Sequence, residues 1–264
     1  MRIVFIYNAT ENLGIEYISS VLKSHGHETH LLFDPAVFSG DIFINVRSLA
    51  NLFNVDNAIV RKVLELQPDV IAFSAYTGNY RWCLKIARAI REQYNAPIVF
   101  GGVHVTAVPE RVLANDCVDY VIIGEGEYAF LDLLDHLEGG GSTENVGDIP
   151  NICYRRDDMI VLNAPRPYIK DIDSLPFPDK DLFFEREPLL ALDLYLIMTS
   201  RGCPYNCTYC SNNMYHAIYC DEKKHVRRRS PGNVIDELVW IKNRVKIKTS
   251  GFPGRCFHHF TVMA

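Results

Sequence analysis

Three cysteines stand close together near the carboxyl end of the chain: Cys203, Cys207 and Cys210, separated by three and by two residues. The other five, Cys83, Cys117, Cys153, Cys220 and Cys256, are scattered. Three thiolates on one short loop can each ligate one iron of a cubane [4Fe–4S] cluster and leave the fourth iron without a protein ligand. Such an iron is open to chemistry. A zinc knot completed by Cys220 or His216 is the first competing use, although zinc sites usually draw on paired Cys-x2-Cys units. A thioredoxin-like use of Cys207 and Cys210 is the second, and it leaves Cys203 unexplained.

Composition narrows the setting. Lys and Arg number 27 against 32 Asp and Glu, a net charge of −5, which offers no basic field for a phosphate backbone and argues against nucleic acid as a main partner. No apolar run reaches the roughly 18 residues of a membrane span. The apolar opening from Met1 to Tyr7 is strand-length, too short for a signal-peptide core, so a cytoplasmic location is expected. In that compartment clustered cysteines read as metal ligands or reactive thiols rather than disulfides. At roughly 150 residues per domain, 264 residues suggest two domains.

Something must position the cysteine loop, and the pattern upstream supplies it. Strand-like runs at Ile3–Tyr7, Thr29–Phe33, Val70–Ser74, Ile98–Phe100 and Tyr120–Ile123 alternate with helical patterns at about 13–25, 56–66, 79–94, 108–114 and 127–137. This predicts an α/β domain over residues 1–140, a flavodoxin-like doubly wound parallel sheet, with an excursion at 34–54. A Pro-rich connector at 141–190 follows the Gly139–Ser142 joint and carries a hairpin at 152–154 and 160–162 turning through Asp157 and Asp158. Residues 191–264 begin a second unit, with a buried strand at Leu194–Met198 just before the cysteines.

Open parallel sheets bind ligands beyond the carboxyl ends of their strands. The loops expected there are 8–14, Ser74–Gly78, Gly101–His104 and Gly124–Glu127. Glycines admit a flat, bulky ligand, and Ser74 and Thr77 can bond its polar rim. Singly, each loop also reads as a tight βα turn, and Glu125 or Glu127 as compensation for a helix dipole. His25, His27 and His30 straddle a helix end and are expected in a solvated turn rather than at a metal.

Together these features resemble the radical S-adenosylmethionine (SAM) superfamily, in the subgroup with an N-terminal cobalamin-binding domain. The resemblance rests on the cysteine loop, the preceding Thr199-Ser200-Arg201-Gly202, the stretch Arg229–Leu238, the Gly-Gly-x-His-x-Thr of Gly101, Gly102, His104 and Thr106, and Gly124-Glu125-Gly126-Glu127. It runs to about Val245. It implies a [4Fe–4S] cluster on Cys203, Cys207 and Cys210, SAM on the open iron with Tyr209 near its adenine, and reductive SAM cleavage that generates a radical. It further implies cobalamin at Ser74, Thr77, Gly101, Gly102, His104, Gly124, Glu125, Gly126 and Glu127, methyl transfer as the reaction, an electron donor, and an unidentified small-molecule or lipid-like substrate.

Two departures stand out. The Asp-x-His-x-x-Gly motif that gives many corrinoid proteins a histidine lower ligand is absent after strand one, its nearest echo being His136 and Gly139. From Leu194 onward 71 residues remain, whereas a radical SAM partial (β/α) barrel needs about six βα units. The expectation is therefore an incomplete barrel and a fragment, with a catalytically silent corrinoid or iron–sulfur binding module as the alternative. The basic run Lys223–Arg229 is expected to face solvent or the SAM carboxylate.

Overall fold

A computed structural model describes residues 1–8, 10–36, 55–141, 146–157, 159–184, 195–219 and 226–244. The expected excursion at 34–54, Cys220, the Lys223–His225 part of the basic run and everything after 244 fall wholly or mostly outside these residues.

Five parallel strands form the centre: β1 (Arg2–Asn8), β2 (Glu28–Asp34), β3 (Val70–Ser74), β4 (Ile98–Gly101) and β5 (Tyr120–Ile122), in the spatial order β2-β1-β3-β4-β5. That is the flavodoxin-like order, in which the chain reverses direction of winding between β1 and β3. Helices α1 (Leu13–Ser24), α2 (Asp56–Leu66), α3 (Tyr80–Arg91), α4 (Val103–Ala107), α5 (Pro109–Leu113) and α6 (Glu127–Glu138) connect them. Period-two alternation in β1 explains the two layers. Ile3 and Phe5 join the core beneath α1 and α6, where Phe5 meets Phe130 edge to face at 6.1 Å, while Val4 and Ile6 join the core beneath α2 and α3. Strands buried on both faces read as continuous apolar runs, which is why all five were visible in the sequence.

The helix expected at 108–114 forms as α5, and a further short helix, α4, precedes it. Val108 leaves helical backbone at φ −142° and Pro109 opens α5 at its first turn, since proline cannot continue the α4 hydrogen-bond ladder. The hairpin forms as β6 (Ile152–Arg156) and β7 (Met159–Leu162), but it is not a free-standing part of a connector. It pairs antiparallel with β5 and extends the sheet to seven strands, covering an edge that would otherwise expose unpaired backbone groups.

The end of the Pro-rich stretch packs into the core. Phe183, on the short helix α7 (Asp181–Phe184), is fully buried in the core beside α1, and so is Lys180 just before it. The Lys180 ammonium donates to Glu11 Oε1 at 2.6 Å and to the Leu196 carbonyl at 2.8 Å, and lies 2.8 Å from Glu16 Oε2. Burial pushes the Glu16 carboxyl well above its usual range, against the pull of Lys180. One cation thus ties the loop after β1, helix α1 and the segment leading to the cysteines.

Two expectations are corrected here. His27 is buried, not solvated: its Nδ1 lies 3.3 Å from the Met1 amine, which also donates to Glu138 at 2.7 Å. His27, Asp135 and Glu138 bring ligand atoms within 4.8 Å of one another, but the N-terminal ammonium already pairs with Glu138 there. Residues 195–199 form no ladder; the strand is only β8 (Ser200–Arg201), paired antiparallel with β9 (Arg227–Arg228), because a strand extends only as far as its partner. Helix α8 (Asn212–Ile218) lies between them in sequence and α9 (Pro231–Arg244) follows.

Candidate functional site

The carboxyl edge of the sheet carries the first half of the site. Ser74, Gly101, Gly102, Gly124 and Gly126 line one crevice there with Gly14 and Ala72, above an apolar floor of Phe5, Ile18 and Phe130. Small residues keep it open. Gly102 sits at φ +101°, and a Cβ on it would come within 2.7 Å of the Ala75 carbonyl oxygen and 2.9 Å of the Ala75 nitrogen, so the close approach of the β3 and β4 loops requires glycine. We expect Gly102→Ala to cost about 1–3 kcal/mol in chemical denaturation. An unchanged midpoint would show that the loops have room.

Polar groups at the rim are already oriented. Thr77 Oγ1 lies 3.2 Å from His104 Nδ1, and the His104 ring rests against Tyr80 with centroids 4.3 Å apart. Burial pulls the His104 imidazole below its usual value, favouring the neutral ring. Asn12 Nδ2 donates to Ser74 Oγ at 3.3 Å, and Asn79 Nδ2 donates to Asn8 Oδ1 at 3.0 Å while its oxygen accepts from the Tyr76 amide. This asparagine bracket was not anticipated; its only trace in the sequence is a polar residue at the end of β1 and another before α3. His136, by contrast, is remote: α6 runs back from the carboxyl edge, and its end meets Met1 at the opposite edge.

Glu125 and Glu127 part company with their glycine neighbours. Their side chains are buried, and their carboxylates receive arginines from the second half of the chain. Arg201 Nη1 donates to Glu125 Oε1 at 3.0 Å and Nη2 to Glu127 Oε1 at 2.5 Å; Arg227 Nη1 reaches both Glu125 oxygens at 2.8 and 3.0 Å. Burial opposes the Arg201 charge, but the two carboxylates outweigh it and hold the guanidinium charged. Of the two expectations for the basic run, a solvent-facing patch does not hold for Arg227 and Arg229. Arg229 is buried on Glu237 and the Met198 carbonyl, and among the described residues of this stretch only Arg228 is exposed.

The cysteine loop follows β8 directly. Cys203 and Cys210 are partly exposed and Cys207 is exposed, all as free thiols. The Cys210 amide donates to the Cys207 carbonyl at 3.0 Å, and Asn213 Nδ2 donates to the same oxygen at 2.7 Å, so α8 braces the loop. Three thiols on one loop are the soft donor set that a [4Fe–4S] cubane takes, one iron to each. His216 is engaged with Asn206 Oδ1 at 2.9 Å. Tyr209 is 91% exposed beside Cys210. A second crevice, lined by Glu125, Arg201, Gly202, Asn212, His216 and Arg227, joins the base of this loop to the Gly124–Glu127 turn.

A family model described as the B12 binding domain matches residues 3–134, which run from β1 into α6. The chain belongs to that family. An uncharacterized methyltransferase of Pyrococcus horikoshii is 32% identical over 75% of this chain and 42% of its own length. The cobalamin-dependent radical SAM methyltransferase TokK of Streptomyces tokunonensis is 31% identical over 79% of this chain and 30% of its own. The cobalamin-dependent S-adenosylmethionine radical enzyme OxsB, with aqua-cobalamin and S-adenosylmethionine bound, shares the fold at a TM-score of 0.67 and 20% identity, over 94% of this chain and 32% of that one. This chain thus spans less than half the length of these relatives. The B12-binding assignment agrees with the doubly wound sheet and places the lined crevice within the family's matched region.

Proposed function

We propose that this chain is the corrinoid- and cluster-bearing part of a radical SAM enzyme of methyltransferase type. The observation that carries the reading is the junction: the turn after β5, whose glycines line the crevice, also holds the arginine immediately before Gly202 and Cys203. Residues 1–140 would hold the corrinoid, 141–190 would connect, and 191–264 would open the radical SAM part. Glycines 101, 102, 124 and 126 admit a broad ligand, Ser74, Thr77 and His104 offer polar contacts at its rim, and Cys203, Cys207 and Cys210 supply soft thiolates for three irons. When bound, the cluster with SAM supplies reductive C–S cleavage and the corrinoid a methyl carrier. The chain's own part is to orient these groups, with Tyr209 beside the third thiolate ready to cover an adenine.

The substrate in this reading is a small or lipid-like molecule, electrons come from a separate donor, and the setting is the cytosol. No helix among the described residues is long and apolar enough to cross a membrane. The exposure of Cys207 and Tyr209 favours a second reading, a binding module without turnover, because no described segment closes over them. Anaerobic reconstitution followed by assay for 5′-deoxyadenosine, S-adenosylhomocysteine and methionine separates the two. SAM-derived product above the cluster-free control supports the enzyme; full cofactor loading with none supports the silent module.

A further inference from the structure

In the β8–β9 ribbon, Arg201 stands directly opposite Arg227. Opposed residues of an antiparallel pair share a face, and like charges there repel. Here both guanidiniums are nearly buried, so water cannot screen them. The counter-charge comes from outside the ribbon. Glu125 takes one nitrogen from each arginine on the same Oε1, at 3.0 and 2.8 Å, and its Oε2 also accepts the Ile169 amide at 2.9 Å. Its own amide donates to the Tyr219 hydroxyl at 3.1 Å. That hydroxyl lies where a Cβ on Gly124 would fall, 2.0 Å away, so the turn and the end of α8 are in close contact.

We infer that Glu125 is a positioning residue: by clamping Arg201 and Arg227 together it sets the distance and orientation of the cysteine loop relative to the corrinoid crevice, which its neighbours Gly124 and Gly126 line. The inference rests on the proposed function for the identity of the two cofactors, and on the geometry alone for the clamp. A Gln at this position keeps the size and loses the charge they share, leaving two buried cations opposed with Glu127, on Arg201 alone, as the remaining counter-charge. The ribbon then separates from the turn after β5 while the crevice glycines and the thiols remain in place. The Gly-Glu-Gly-Glu stretch accordingly has two jobs, with the glycines facing ligand and the glutamates holding the second unit.

The test uses the full chain, reconstituted with cluster and cob(II)alamin and reduced, with the cobalt–cluster distance distribution measured by pulsed dipolar EPR. The parent gives one narrow distribution. Glu125→Gln broadens it at least about twofold with iron and cobalt content unchanged, and Glu125→Asp returns it toward the parent. Glu138→Gln, an equal charge change at the far edge of the sheet, leaves it narrow. A merely stabilising residue would lower the melting temperature without changing the width. An unchanged distribution in Glu125→Gln overturns the inference. If this variant fails to load, hydrogen exchange on the apo chain decides: residues 200–203 and 227–229 exchange at least about tenfold faster than in the parent while β1 and β3 do not, and equal rates overturn the clamp. A parent that loads neither cofactor contradicts the proposed function instead and leaves the clamp to the exchange measurement.

Discussion

Replacing any one of Cys203, Cys207 or Cys210 by Ala is expected to reduce iron retained after anaerobic reconstitution and desalting from about four per chain to less than about a tenth of that. A cubane with three protein thiolates has none to spare, and a pair of ligands on a partly exposed loop cannot keep it from solvent and chelator. Cys83→Ala is the control. Its thiol is fully buried under the sheet and burial drives its acidity far down, so it stays protonated and cannot substitute as a ligand. Equal iron in Cys83→Ala and Cys207→Ala would contradict the assignment.

The second large effect concerns Lys180. Lys180→Met fills the same space but leaves Glu11 and Glu16 without their cation, in a site where Lys180 and Glu16 have no solvent exposure. Removing one partner of a buried ion pair costs about 3–5 kcal/mol, measurable by urea denaturation. The pH dependence has a definite sign. Burial raises the folded-state value of Glu16, and losing Lys180 raises it further, so folding holds the proton more tightly than the unfolded chain does. The deficit of the variant relative to the parent therefore grows as pH rises through the folded-state value of Glu16 and shrinks as pH falls toward the ordinary carboxylate range. A deficit independent of pH would mean that altered packing around the new side chain, not the charge, carries the cost.

The elements that bury both faces were legible from the sequence because their apolar runs are continuous and the glycine turns between them are chemically distinctive. Ser74, Gly101, Gly102, Gly124 and Gly126 meet in one crevice because the flavodoxin-like order brings the ends of β3, β4 and β5 side by side. Long-range partners left no such trace. Glu125 and Arg201 are 76 residues apart, and a glutamate beside a helix start looks the same whether it faces a ligand, a dipole or an arginine. Lys180 reads as a surface residue in a Pro-Asp-Lys-Asp stretch, and only the folded chain shows it enclosed by carboxylates from the loop after β1 and from α1. The expected strand before the cysteines shows the same limit, since pairing depends on a neighbour that local pattern cannot supply.

In the proposed function one chain carries a corrinoid and an iron–sulfur cluster together. This is tested most directly by metal analysis of the chain after anaerobic incubation with ferrous iron, sulfide and hydroxocobalamin and removal of unbound material. About four iron and about one cobalt per chain are expected in the same chromatographic peak. Iron without cobalt, or about one zinc per chain with neither, would contradict it.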